Sequence, residues 1–218
     1  GATQEEVADL FLDALRGLPR EGSYDLPQTL VPARADAVRR VEERMDVVQG
    51  KLAMGLRTGG ITVGSGDYPA LLLCNAVFGG TATSKLFLHV REELSLCYYA
   101  DSGLHKFKGL MLVSSGVEFD QRARAEDEIM AQLGSCRRGE IQPWEMDGAR
   151  RSVASALRTV LDSQGRQEDW WLGQAVAGLD QSPEALAREL EQVDVARVVQ
   201  ATQALSLDTV YFLRGMEG

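Results

Sequence analysis

The chain has 218 residues, 44% of them hydrophobic, enough for one large domain, or one domain with a short appendage, around a well-buried core. Its formal charge of -9, with Lys and Arg scattered instead of gathered into a stripe, argues against nucleic acid or an anionic membrane as a partner. Apolar runs such as 70–73 fall far short of the roughly 20 residues of a membrane span, and no charged-then-apolar leader opens the chain, so a cytoplasmic location is expected.

Thr3 with Glu6 three positions on forms a capping box, and Val7, Leu10, Phe11, Ala14, Leu15 and Leu18 follow at helical spacing, so residues 3–18 are expected to be an amphipathic helix. Residues 19–34 collect Pro19, Gly22, Pro27 and Pro32 without periodicity and read as an extended linker. From Val47 the period becomes two, with Val48, Leu52, Met54 and Leu56 on one face of a strand and Gln49, Lys51 and Ala53 on the other. Residues 67–78 are apolar almost all round, which suits a helix buried on several sides, and Gly79-Gly80 stops it. Ser84 is placed to cap a short helix with the stripe Leu86, Phe87, Val90 and Leu94.

Two strands follow, 96–105 and 110–118, joined by a turn at 106–109 that favours an antiparallel hairpin. Asp120 is expected to cap a helix running through Ile129 and Leu133. Pro143 suits the first turn of a long helix with Met146, Ala149, Val153 and Val160 on one side. Ser182-Pro183-Glu184 and Asp194 open two more helices, and 209–213 is a final strand. Strands in two clusters, with helices between and after them, indicate an α+β domain whose helices cover one face of a mainly antiparallel sheet.

Chemistry-bearing residues are few. A catalytic zinc takes about three protein ligands, and the chain has only His89 and His105, in neither HxxEH nor HxxDH nor an inversion of them. His89 and Glu93 lie four apart on a helix, a spacing common on solvated faces. The segment Gly79-Gly80-Thr81-Ala82-Thr83-Ser84-Lys85 invites a phosphate-loop reading, but a helix leads into it and four residues separate Gly80 from Lys85, so a helix-to-helix turn is preferred. Nothing frames Ser84, Ser114, Ser115 or Cys97 as an activated nucleophile. Cys74, Cys97 and Cys136 match no disulfide framework and are expected to be reduced and mostly buried. Trp170 and Trp171 are adjacent on a helix, so only one of them can face a core.

The stretch from Phe78 to Tyr98, with its Gly-rich turn, Ser84-Lys85-Leu86-Phe87, Arg91-Glu92 and Leu96-Cys97-Tyr98, resembles the second-half signature of pitrilysin-type metallopeptidases, which include insulin-degrading enzymes and mitochondrial processing peptidases. The likeness extends loosely back to residues 49–55 and forward to about Asp162, and is greatest to bacterial cytosolic members of about twice this length, some of them non-peptidases. It implies a metallopeptidase half-clam fold, LuxS/processing-peptidase-like, with 1–18 as the terminal helix of a preceding half, 19–45 as a linker and 46–218 as the zinc-free domain. On that likeness the chain is expected to start inside a longer protein, with Gly1-Ala2 a cloning remnant.

The resemblance further implies that Arg91 and Tyr98 are substrate-binding residues reaching toward a metal held elsewhere. No catalytic residue, metal or cofactor is expected on this chain; zinc is expected only on a partner half or subunit. A guanidinium donates forked hydrogen bonds to peptide carbonyls, and a phenol can donate to the oxygen that becomes negative during attack. Neither hydrolyses a peptide unaided. Where the family has a lysine two positions after the arginine this chain has Glu93, and where it has a small residue before the tyrosine this chain has Cys97. Tyr99 is expected on the opposite face from Tyr98 by strand alternation. The implied partners are a zinc-bearing half or self-association, and a peptide substrate; the alternative is a scaffold protein of the same fold without proteolytic role.

Overall fold

The computed structural model describes residues 1–19 and 31–216. Its elements, in order, are α1 (Gln4–Arg16), β1 (Arg39–Met45), β2 (Gly50–Arg57), α2 (Tyr68–Phe78), a π-helix (Leu86–Glu93), β3 (Cys97–His105), β4 (Leu110–Val117), α3 (Arg122–Arg137), α4 (Pro143–Arg158), α5 (Gln164–Ala177), α6 (Pro183–Glu191), α7 (Val195–Ala204) and β5 (Ser206–Gly215). The strands form one five-stranded sheet in the order β1-β5-β2-β4-β3, antiparallel except for β1 with β5. The α+β architecture expected from the pattern is the one observed.

Period-two alternation decides which side of the sheet is covered. Leu52, Met54 and Leu56 of β2, Met111 and Val113 of β4 and Val210 and Phe212 of β5 are buried under the helices. Lys51, Ala53 and Gly55 face the other way, in register with Leu213, Tyr211 and Thr209 of β5 and with Gly116, Ser114 and Leu112 of β4. α2 lies innermost, apolar on nearly every side because it packs on the sheet and is flanked by α4 and α7. The N-termini are set locally, as expected: Thr3 and Glu6 complete the capping box of α1, Pro143 opens α4, Ser182 Oγ accepts from Ala185 N, and Asp194 Oδ1 accepts from Arg197 N.

Several boundaries differ from the sequence pattern. Residues 39–45, inside the expected linker, form β1, which Arg40 ties to α3 through Glu126 at 2.7 Å and Glu43 ties to Tyr211 at 2.5 Å. The linker residues 20–30 lie outside the described residues. Val48 is not on the core face of β2; it is 95% exposed, in the turn between β1 and β2, because pairing begins only at Gly50 opposite Val117. Asp120 caps nothing: it sits in a single 3-10 turn at Phe119–Gln121, and α3 begins after Gln121. α4 ends at Arg158, short of Val160, and β5 is longer than the five residues expected. Every residue of α1 is exposed, including Leu10, Phe11 and Leu12. Among the described residues no helix is long and apolar enough to cross a membrane.

Candidate substrate-binding cleft

Arg91 and Tyr98 come together at one end of the sheet, in an open cleft of about 480 Å³ that Glu92, Ser95, Cys97, Glu118 and Gln121 also line. Three local departures from regular structure lie between the two residues. Arg91 is carried by the π-helix, whose wider turn ends with Leu94 N donating to His89 O at 3.0 Å and Leu96 N donating to Val90 O at 3.0 Å. Ser95 then takes φ 50°, a left-handed conformation that a non-glycine residue adopts at some cost, and so turns the chain into β3. The third departure is at Tyr98 itself. Cys97 pairs with Val117 and Tyr99 with Gly116, so Tyr98 is the extra residue of a β-bulge.

That bulge corrects the expectation for Tyr99. Alternation alone puts the two tyrosines on opposite faces, yet the inserted residue leaves Tyr98 59% and Tyr99 37% exposed, and it is Ala100 that enters the helix-covered side. The Tyr99 ring lies over Gly116, where a Cβ would come within 2.5 Å of it. The Tyr98 hydroxyl donates to Glu118, and that hydrogen bond, with the carboxylate's charge, holds the phenol above its ordinary pKa. Sequence reasoning passed over Glu118, although counting along the hairpin from Gly109 places the end of β4 beside the start of β3.

Arg91 is half-exposed, its Nε 3.4 Å from Glu92 Oε1 and its Cζ 4.7 Å from the centroid of the Phe87 ring. Glu93, the departure from the family pattern, does not engage it: Glu93 Oε2 lies 2.7 Å from His89 Nδ1 on the exposed face of the π-helix. The cleft thus offers a forked cation, a phenol and two carboxylates. Its one thiol, Cys97, is pushed up by burial, against the opposing effects of a hydrogen bond with Ser115 and the charge of Arg91, and no histidine lines the cleft to activate it. A guanidinium, a phenol and carboxylates on one wall can hold a polar ligand by charge and hydrogen bonds.

A zinc ion does not fit the donors present. His89 is committed to Glu93, His105 stands exposed at the far end of β3, and among the described residues no group of three or more His, Cys, Asp or Glu side chains is disposed to hold a metal. The phosphate-loop alternative is closed by geometry, since the N–H groups of Gly79 and Gly80 both donate to Asn75 O, at 2.9 and 2.7 Å. Lys85 is buried, 3.0 Å from Glu145 Oε1, and Ser84 Oγ accepts from Phe87 N at 3.4 Å. Trp170 packs against the core and Trp171 is exposed, the division that adjacent helix positions require.

Residues 1–153 match the family model described as the Peptidase M16 inactive domain. The probable inactive metalloprotease YmfF of Bacillus subtilis is 35% identical over 180 residues, covering 83% of this chain and 42% of the relative. A conserved protein from Enterococcus faecalis V583 superimposes over the whole chain with a TM-score of 0.87 and 27% identity, covering 51% of that structure. A structure described as the peptidase M16 inactive domain from Pseudomonas fluorescens shares the fold, with a TM-score of 0.77 at 18% identity over 98% of this chain and 52% of its own. The chain therefore spans about half the length of these relatives. The match over 1–153, together with the signature from Phe78 to Tyr98, places the chain in the pitrilysin-type M16 metallopeptidase family, as an inactive peptidase domain.

Proposed function

We propose that this domain is the substrate-binding, non-catalytic half of a zinc metallopeptidase-like protein, and that Arg91 and Tyr98 present a peptide to a chamber whose zinc is carried by another half or subunit. The observation that carries the reading is the shared cleft: residues seven apart in sequence, on a π-helix and a β-bulge, line the same space. A guanidinium and a phenol on one wall suit peptide carbonyls, which accept from both. On this reading α1 is the last helix of the preceding half, and its exposed Leu10, Phe11 and Leu12 pack there. The three free cysteines are compatible with a reducing, cytoplasmic setting.

The test is to combine the chain with its zinc-bearing half and follow cleavage of an unstructured peptide. Arg91→Ala with Tyr98→Phe lowers kcat/KM at least about tenfold, the loss of one or two transition-state hydrogen bonds. Unchanged cleavage removes the substrate role. A second reading, a scaffold of the same fold, is favoured by the engagement of Tyr98 with Glu118 and of Arg91 with Glu92. It predicts a stable complex with the other half and no cleavage in any pairing.

A further inference from the structure

On the helix-covered side, lined by none of the residues of the Arg91 and Tyr98 cleft, a cavity of about 210 Å³ opens between α2, α4, α5, the start of α6 and the tip of the β3–β4 hairpin. Leu72, Val153, Leu157, Trp170 and Leu186 give it apolar walls. Tyr68, Lys106 and Gln174 line the same space, and each retains hydrogen-bonding capacity that the protein does not use.

Tyr68 is only 7% exposed, and its hydroxyl has no hydrogen-bond partner among the described residues. Burial pushes its pKa up to about 12, so it is a neutral donor. Gln174 is 4% exposed; its Oε1 accepts from Gln181 N at 2.9 Å, and its amide nitrogen has no partner among the described residues. Lys106 is half-buried with no ion pair or hydrogen bond from its ammonium among the described residues. Its Nζ rests 5.7 Å from the Trp170 ring centroid and 5.2 Å from that of Phe107, and burial lowers its pKa against the smaller, opposing influence of Asp169. The three donor groups open on the cavity and are not sealed from water, so an acceptor placed there meets several donors against apolar walls.

The site is preformed. Trp170 Nε1 donates to Gln181 O at 2.9 Å, which fixes the indole against the α5–α6 turn, and Val63 N donates to Lys106 O at 2.9 Å, which fixes the hairpin tip. The size admits one ring: a dry cavity of about 150 Å³ already accepts benzene. The ammonium selects the acceptor, because a full negative charge beside the half-buried cation gains more than a neutral dipole does.

We propose that this cavity binds a small aryl carboxylate, its ring against Trp170 and the leucine walls and its carboxylate at Lys106, with Tyr68 and Gln174 donating to the same oxygens. The site is separate from peptide recognition at Arg91 and Tyr98 and does not depend on it. Titrating the full chain with phenylacetate and with phenylacetamide, by calorimetry and by the indole N–H resonance of Trp170, tests it. Phenylacetate saturates a single site and shifts Trp170 but not Trp144, and the amide binds at least about tenfold more weakly. Lys106→Met lowers affinity for the acid by a similar factor at an unchanged melting temperature. Ala156→Trp, at an exposed rim position, blocks the mouth, and Arg91→Ala has no effect. The proposal is overturned by the absence of saturable binding, by equal affinities for acid and amide, or by Lys106→Met and Ala156→Trp proteins that bind as the parent does.

Discussion

Lys85 Nζ lies 3.0 Å from Glu145 Oε1, and both side chains are buried. The pair joins the Gly-rich turn to α4, and Glu145 Oε2 also accepts from Gln142 N at 2.7 Å, so one carboxylate serves the ion pair and the capping box together. Removing one charge leaves the other buried and unpaired. Lys85→Met is therefore expected to cost about 3–5 kcal/mol in urea denaturation. Lys85→Met with Glu145→Gln keeps the cap and removes both charges, and recovers most of that loss. A double variant no more stable than the single one refutes the pairing.

Gly79 is needed for closeness, not for an unusual φ. A Cβ there would come within 2.6 Å of Ser102 Oγ and 2.8 Å of Ser102 N, and Ser102 N cannot yield because it donates to Gly79 O at 3.0 Å. Gly79→Ala is expected to destabilise by about 1–3 kcal/mol, the range of overpacking in a dense core. Gly103, on the open face of β3, meets nothing, and Gly103→Ala is expected to be neutral or to stabilise by up to about 1 kcal/mol. Equal melting temperatures for the two variants contradict this account.

These contacts show what a single sequence carries. The alternation of Leu52, Met54 and Leu56, the all-round apolarity of α2 and the caps at Thr3, Ser182 and Asp194 are local signals, and each gave its element. β1 carries no such signal. Its sequence Arg39-Arg40-Val41-Glu42-Glu43-Arg44-Met45 is charged on both faces, as an exposed edge strand allows, and only its parallel pairing with a strand more than 150 residues away makes it a strand. The extra residue at Tyr98 was hidden for a related reason: a bulge is a mismatch between two strands, and neither strand records it alone. Arg91 and Tyr98 were legible as a pair, but Glu118, which holds one of them, was not.

The Tyr98 contact makes a titration prediction. Ionising the phenol would break the bond it donates to Glu118 and place two negative charges side by side, so its pKa stands above the ordinary value. Glu118→Gln removes the charge, and the Tyr98 pKa falls toward about 10, followed by carbon-13 resonances of labelled tyrosine. On the proposed function, peptide affinity rises in the same variant, because Tyr98 no longer leaves a carboxylate to meet a carbonyl. A Tyr98 titration identical in both proteins disproves the contact.

Thiol chemistry reports on the cleft without any partner subunit. Burial pushes Cys74 up to about 11 and Cys136 up to about 12, and both are enclosed, Cys74 with its Sγ 3.2 Å from Thr202 Oγ1. Cys97 is raised by burial as well, but it is only partly buried and opens on the cleft beside Tyr98. The thiolate is the reactive form, so each thiol reacts faster as pH rises, and access separates the three. With a disulfide reagent near pH 8, one thiol per chain is expected to react slowly in the native protein and the other two only on unfolding. On the proposed function, a peptide held by Arg91 and Tyr98 covers Cys97 and slows the first reaction, and Arg91→Ala abolishes that protection. Modification of Cys74 or Cys136 at the rate of Cys97 contradicts the burial described, whereas protection that survives in Arg91→Ala places the peptide elsewhere.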